Sequence, residues 1–424
     1  LKHCKCLEAT KNILVKDSKI AYFGNEHPSC EKVYDLKNHL FLPGMIDPHV
    51  HVRDLQQSDK EDWLSASKAA INGGVTTISD MPNTIPPTTD FAGLIEKQKA
   101  MKKSLVNSFC YLGATNENAT EIENILAEKP DEVKGIKVFL SASSQNEIIN
   151  ETQLKKFFQI ALKYDTILLF HNELQSVIDK YSYKYKHNIL NHNNIRNSKA
   201  AISGMNLILK LQKKYPAKVY ICHVSTAEEL ELIKTYKPDF PLFCEITPHH
   251  LLLNETILPK VGNFGKVNPP LRTEKDNEAL WQAIDAGIVD CIGSDHAPHL
   301  RSEKEQEYDK APSGFPGLET SLPVLLAAWK ERKMDLQKLV QLTSENAAKI
   351  FNIEKRGKIA EDYLADLVII DENEKTVIQA ENFKSKAKYS PFEGWKIPFR
   401  IQKTIMNGKM YEINNDLSHH SSNM

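Results

Sequence analysis

The fold class this sequence predicts is α/β: a (β/α)8 TIM-type barrel with a small β domain formed from the two ends of the chain. Three observations carry it. Apolar strand-like runs alternate with helical stretches through the middle, β-rich segments stand at both ends, and histidines recur where a strand run stops. Residues 10 to 42 read as short strands and turns, including Asn12-Ile13-Leu14-Val15 and Lys19-Ile20-Ala21-Tyr22-Phe23 before Gly24. The far end reads alike: Ala365-Asp366-Leu367-Val368-Ile369-Ile370 is a strand, and residues 403–411 form a hairpin about Asn407-Gly408. Two such ends flanking a long middle are expected to pair. The division is therefore 1–43 and 355–424 for the small domain, with the barrel over 44–354.

The middle supplies eight strand candidates. The first runs from Met45 to Val50, and Val75-Thr76-Thr77-Ile78-Ser79 follows an Ala-rich helix ending at Gly73-Gly74. Next come Phe109–Leu112, Ile136–Leu140, Thr166–Phe170, Val219–Cys222, Leu242–Ile246 and Ile288–Ile292. Repeated βα units of this kind close into a barrel whose chemistry sits at the C-terminal ends of its strands.

Composition narrows the class. The chain has 424 residues, 41% of them hydrophobic, which is enough for one large α/β domain and a smaller one. Its 54 basic and 55 acidic residues give a net charge of −1, so no nucleic-acid footprint is present. No apolar run reaches membrane-spanning length, and Lys2 to Lys11 is polar, without a cleavable signal pattern. The seven cysteines are an odd set, several of them inside apolar runs, which suits a reducing, cytoplasmic location. Cys4-Lys5-Cys6 lacks a second pair at zinc spacing. The tail from Asp416, with His419-His420, reads as disordered.

The strand ends carry the chemistry. His49 and His51, at i and i+2, point to one side of a strand. His171 follows Phe170, His223 follows Cys222, and Asp295 follows the eighth strand. A lone histidine is more often structural than a ligand, but four gathered at one end beside a carboxylate reverse those odds. Neutral imidazole and carboxylate suit Zn²⁺, which keeps a water position at catalytic sites. This pattern reads as a metal-dependent hydrolase.

Lys137 has two readings. It sits between Ile136 and Val138, so it either points outward and snorkels to the helix layer or faces inward with a pKa depressed by desolvation. A neutral amine adds CO2 to give a carbamate, an anion able to bridge two cations that share one water.

Longer segments point to a family. They include Phe41-Leu42-Pro43-Gly44-Met45-Ile46-Asp47, Gly73-Gly74-Val75-Thr76-Thr77, Met81-Pro82-Asn83-Thr84 and Cys222-His223-Val224-Ser225-Thr226. Glu245-Ile246-Thr247-Pro248-His249-His250-Leu251, Asn268-Pro269-Pro270-Leu271-Arg272, Asp295-His296-Ala297-Pro298-His299 and residues 314–320 complete the set. On these segments the chain resembles, nearly end to end, the dihydroorotases of the amidohydrolase superfamily, of the lysine-bridged binuclear zinc type. The resemblance implies that His49, His51 and Asp295 hold one zinc and that His171 and His223 hold the second. Carboxylated Lys137 bridges the two, and Asp295 doubles as proton shuttle. It further implies that Arg53, Asn83, Asn268 and His299 bind substrate. An Arg fork suits the carboxylate of dihydroorotate, and Asn suits a cyclic ureide.

The implied reaction is zinc-dependent, reversible hydrolysis of (S)-dihydroorotate to N-carbamoyl-L-aspartate, a step of pyrimidine synthesis. The expected partner is this small-molecule substrate, with no nucleic acid and no membrane, and a homodimer is open to the chain. An allantoinase or dihydropyrimidinase would share fold and metals, and a silent homologue could serve as a scaffold. The segments around Asn83, His249 and Asp295 argue against the first. Retention of every ligand position argues against the second.

The chain departs from the family pattern where Asp54-Leu55-Gln56 replaces an acidic residue followed by Pro-Gly. Ser294 stands where Thr is commoner, and Asn172 replaces a commoner Cys or Ala. His249-His250 is expected on a loop after strand seven as support for the ligands. The charge run Arg301 to Lys310 is expected to be a solvated loop, placed beside His299 as a lid would be.

Overall fold

The computed structural model describes residues 4–5, 10–36, 39–142 and 148–413. Cys6 and the tail with His419-His420 lie outside the described residues. Eight parallel strands form the barrel in sequence order: β1 (Met45–Val50), β2 (Val75–Asp80), β3 (Asn107–Gly113) and β4 (Val133–Phe139). They continue with β5 (Ile167–His171), β6 (Lys218–Ile221), β7 (Leu242–Ile246) and β8 (Cys291–Ile292). The last strand is shorter than the expected 288–292 run. Closure comes just beyond it, through a parallel bridge between Val50 and His296, where the His51 amide donates to the His296 carbonyl at 2.7 Å.

Strand alternation sorts the two faces. On β5, Leu168 and Phe170 face the helices, with Phe170 stacked on Phe158 of the helix Glu151–Lys163. Ile167 and Leu169 join Tyr111, Tyr220 and Cys222 in the barrel interior. Each large outward side chain buried in this way contributes roughly 1.5–3 kcal/mol. On β4, Ile136 and Val138 pack into the helix layer, which turns Lys137 inward by the two-residue period.

Local signals set the helix limits. Asp62 caps the helix Trp63–Asn72 in a reciprocal capping box with Ser65, and Thr226 does the same with Glu229 for Ala227–Tyr236. Gly74, at φ 76°, takes the left-handed turn that leads from the first of these helices into β2.

The two chain ends share one seven-stranded sheet. Its order is Lys409–Glu412, Arg400–Met406, Leu367–Asp371, His39–Pro43, Cys4–Lys5, Thr10–Lys16 and Lys19–Gly24. Leu367–Asp371 lies antiparallel to His39–Pro43 with Val368 opposite Leu42, so the sheet is stitched from both termini. The Asn407-Gly408 hairpin is present, with both residues at positive φ. Thr404 donates to the carbonyl of Ile71 at 2.8 Å and ties this sheet to the barrel. Among the described residues no helix is long and apolar enough to cross a membrane.

Candidate active site

The C-terminal ends of the strands deliver a buried cluster. His49 and His51 turn Nε2 toward Asp295 Oδ1, at 3.3 and 3.2 Å. One ligand atom from each of these three buried residues lies within 4.8 Å of the others, an arrangement able to hold a metal ion. The far side of each ring is tied down. His49 Nδ1 stands 2.8 Å from Glu245 Oε1, and His51 Nδ1 stands 2.7 Å from Asn83 Oδ1. Imidazoles that donate Nδ1–H to these acceptors present bare Nε2 lone pairs to the centre, as metal-ligating histidines do. Gly293 makes the packing possible, because a Cβ there would lie 2.7 Å from the Glu245 carboxylate.

The electrostatics follow from this crowding. Burial lowers the His49 pKa, but Glu245 and Asp295 outweigh it and raise the value to about 10. Burial dominates at His51 and lowers it to about 4. Burial opposes ionisation of Asp295, yet His49 and His51 pull its carboxyl well below the usual carboxylate range. The carboxylates of Glu245 and Asp295 favour positive charge at His49, while burial disfavours it at His51.

His171 and His223 form the second half. His171 Nδ1 faces His223 Nε2 at 3.0 Å, and His171 Nε2 stands 2.9 Å from Glu173. Arg196 grips that carboxylate at 2.6 Å and also reaches Ser141 at 3.1 Å. Burial and the neighbouring His171 push His223 well below its ordinary value, so it stays neutral. Its Nδ1 is a buried atom without a hydrogen-bond partner among the described residues.

Lys137 is 1% exposed and lines the same cleft. This corrects the outward, snorkelling reading. Its Nζ lies 3.0 Å from Cys222 Sγ and over the Phe139 ring, and among the described residues it forms no ion pair with a carboxylate. A buried ammonium without an anionic partner is costly.

Of the residues expected to bind substrate, Arg53, Asn83 and Asn268 line the cleft. His299 stands behind Arg53, with its Nε2 3.1 Å from Arg53 Nη2, and burial followed by the Arg53 charge lowers its pKa to about 3. Arg53 also donates from Nε to the Pro298 carbonyl at 3.2 Å. Leading into Leu55-Gln56, which stands where the family pattern has Pro-Gly, Arg53, Asp54 and Leu55 run through three left-handed φ angles of 67°, 48° and 51°. His223 and Asp295 share this region, at 38° and 47°. Such strain concentrates where a site needs side chains aimed against local preference.

Two expectations change. His249-His250 lies in a short buried helix, Pro248–Leu252, rather than on a loop. His250 is fixed by Thr247 at 2.7 Å and by the Pro269 carbonyl at 3.0 Å. The charge run is not uniformly solvated: it opens with the helix Arg301–Lys304, and Lys304 is 1% exposed.

Sequence reasoning missed the residues that orient the ligands. Glu245, Glu173 and Arg196 are all buried charges behind a histidine. Glu245 was readable, since it stands in an apolar strand run where an acid has no packing role. Arg196 was not, because it comes from a helix–helix connection far from any motif.

Comparison with known proteins bears on this geometry. The Amidohydrolase family model matches residues 40–411. A dihydroorotase from Methanosphaera stadtmanae is 34% identical, covering 100% of this chain and 98% of that protein. A dihydroorotase from Pyrococcus furiosus is also 34% identical, over 93% of this chain and 87% of its own length. Among solved structures, the L-hydantoinase (dihydropyrimidinase) from Arthrobacter aurescens superposes with a TM-score of 0.93 at 27% identity, covering 99% of this chain and 97% of its own. The match of the family model, the full-length relatives and the shared barrel agree: the chain belongs to the amidohydrolase family.

Proposed function

We propose that this enzyme is a dihydroorotase, hydrolysing the cyclic amide of (S)-dihydroorotate reversibly to N-carbamoyl-L-aspartate. The observation that carries the reading is one cleft that joins a buried His/Asp cluster to the guanidinium of Arg53. Full-length dihydroorotase relatives support it further.

His49, His51 and Asp295 would hold one zinc, His171 and His223 a second, with Lys137 as a carbamate between them. The donor chemistry fits: Nε2 of His49 and of His51 converge on the Asp295 carboxylate while their Nδ1 atoms are held by Glu245 and Asn83, and among the described residues Lys137 has no carboxylate partner. Two divalent ions bound there supply Lewis acidity and an activated water. The chain's own residues do the rest. Arg53 grips the substrate carboxylate, with neutral His299 behind it. The amide nitrogen of Asn83 remains for a ligand, because its oxygen orients His51. Asn268 offers an amide to the ureide edge. Asp295 takes the proton of the attacking water as the C–O bond forms, then delivers it to the ring nitrogen as the C–N bond breaks.

The division of the chain into 1–43 with 355–424 and a barrel over 44–354 belongs to the same proposal. Unpaired Cys110, Cys222, Cys244 and Cys291, all buried, suit a reducing cytoplasm.

The hydantoinase neighbours favour a second reading, a dihydropyrimidinase-like activity. Metal-loaded protein offered dihydroorotate, allantoin and dihydrouracil side by side separates the two. Turnover of dihydroorotate at a kcat/KM well above the others is expected, and preference for dihydrouracil would overturn the proposal.

A further inference from the structure

Lys304 sits in the charge run beside the cleft, yet its ammonium is buried and faces no carboxylate among the described residues. It is surrounded instead by backbone oxygens: Pro312 and Gly314 at 2.8 Å each, and Lys266 at 3.3 Å. Burying an ammonium costs several kcal/mol unless its donors are satisfied, and three carbonyls match its three N–H bonds. The place of those carbonyls is informative. Lys266 immediately precedes Val267 and Asn268, which line the cleft, and Pro312 precedes Ser313 and Gly314, which line it as well. The two segments are already joined where the Gly314 amide donates to the Lys266 carbonyl at 2.8 Å. Ser313 in turn donates to Asn268 Oδ1 at 3.2 Å, and its carbonyl lies 3.1 Å from His299 Nε2. Lys266 repeats the device one layer out, donating to the Tyr308 and Ala311 carbonyls at 2.6 Å each.

We propose that Lys304 is a positioning residue for substrate: its ammonium gathers three carbonyls from two chain segments and thereby sets Asn268, Ser313 and His299 at one wall of the cleft. The inference rests on the dihydroorotase reading for its substrate, though not for its geometry. An anchor of this type acts on binding and leaves the metal cluster alone, because among the described residues the Lys304 ammonium bonds to backbone carbonyls and forms no ion pair with Asp295. A lysine serves where a neutral side chain fails, since only an ammonium presents three N–H donors from one atom.

The test is Lys304→Met, which keeps length and removes every donor. Its KM for dihydroorotate should rise about tenfold to a hundredfold, the loss expected from two or three unpaired carbonyls. Metal content should match wild type, and kcat should stay within about threefold because the reacting groups are untouched. Hydrogen exchange at the amides of 313–315 should quicken at least about tenfold, as it does when local opening becomes easier. Lys304→Gln, with two donors, should fall between and answers if the Met variant does not fold. A lowered Tm with unchanged KM and unchanged exchange would reduce Lys304 to a structural role and overturn the proposal. In the wild type itself, exchange at 313–315 as fast as in an exposed loop would overturn it too. A wild type that does not turn over dihydroorotate defeats the functional reading, while the exchange comparison still decides whether the ammonium holds the wall.

Discussion

Glu245 on β7 stands 2.8 Å from Nδ1 of His49 on β1, and the same carboxylate receives the Tyr220 hydroxyl at 3.0 Å and the His223 amide at 3.2 Å. One acid thereby orients a candidate ligand and pins the strand end that carries another. Glu245→Ala should weaken metal binding about 10–100-fold, the usual effect of losing a partner behind a ligating histidine. Competition with a chelator measures it, and wild-type affinity in the variant would show that His49 needs no such support.

Lys137→Ala should lose one of two metals and nearly all activity. Short carboxylic acids should restore part of both, because they can replace a bridging carbamate. Elemental analysis and ¹³CO2-labelled NMR check the two halves separately. A metal-loaded protein whose Lys137 remains an unmodified ammonium would remove the bridge from the mechanism.

Arg53→Met should raise the KM for dihydroorotate sharply while both metals stay bound. The expected loss is about 2–5 kcal/mol in kcat/KM, the range for breaking a buried charged pair. Steady-state kinetics with a parallel metal assay decides it. Unchanged turnover would mean that the substrate carboxylate is held elsewhere.

Asp295→Asn keeps size and one oxygen donor but cannot carry a proton. Metal should be retained at least in part, while kcat falls by about 10²–10⁴-fold, the range for a lost general acid–base. Substrate affinity should change far less. A variant that holds metal and works at the wild-type rate in either direction would pass the proton to another group.

His192 gives a pH signature away from the cluster. Its Nε2 stands 2.9 Å from the Val267 carbonyl and its Nδ1 stands 2.8 Å from the Tyr308 hydroxyl, a pairing that suits the neutral ring. Burial, then the Arg196 charge, lowers its pKa to about 3. The folded value lies below the unfolded one, so the unfolded chain binds the extra proton between about pH 3 and pH 6.5. The stabilising contribution is therefore complete above pH 6.5 and is lost as pH falls. The advantage of wild type over His192→Gln in urea unfolding should shrink by up to about 1.4 kcal/mol per pH unit through that window. An advantage that stays constant from pH 7 to pH 4.5 would contradict it.

The barrel was legible in the sequence because its evidence is local. The apolar run Thr166–Phe170 and the stop of the first, fifth and sixth such runs at a histidine are properties of short segments, as is the Asn407-Gly408 turn. The same holds for His49, His51, His171, His223 and Asp295, whose positions at strand ends follow from chain order alone. Tertiary structure decided what lies behind them. Glu245 reaches His49 across 196 residues of sequence, and Arg196 reaches Glu173 from a connection that no periodicity marks. The direction of Lys137 was settled by the packing of Ile136 and Val138 against the helices. Lys304 shows the limit most plainly. In sequence it belongs to a run of charges that reads as solvated, and only the convergence of three carbonyls from two distant segments makes its burial affordable. Sequence by itself determined which residues could do chemistry, since residue type and local period are written in it. The fold decided which buried charges are satisfied and by what, since burial is a property of contacts between segments far apart in the chain.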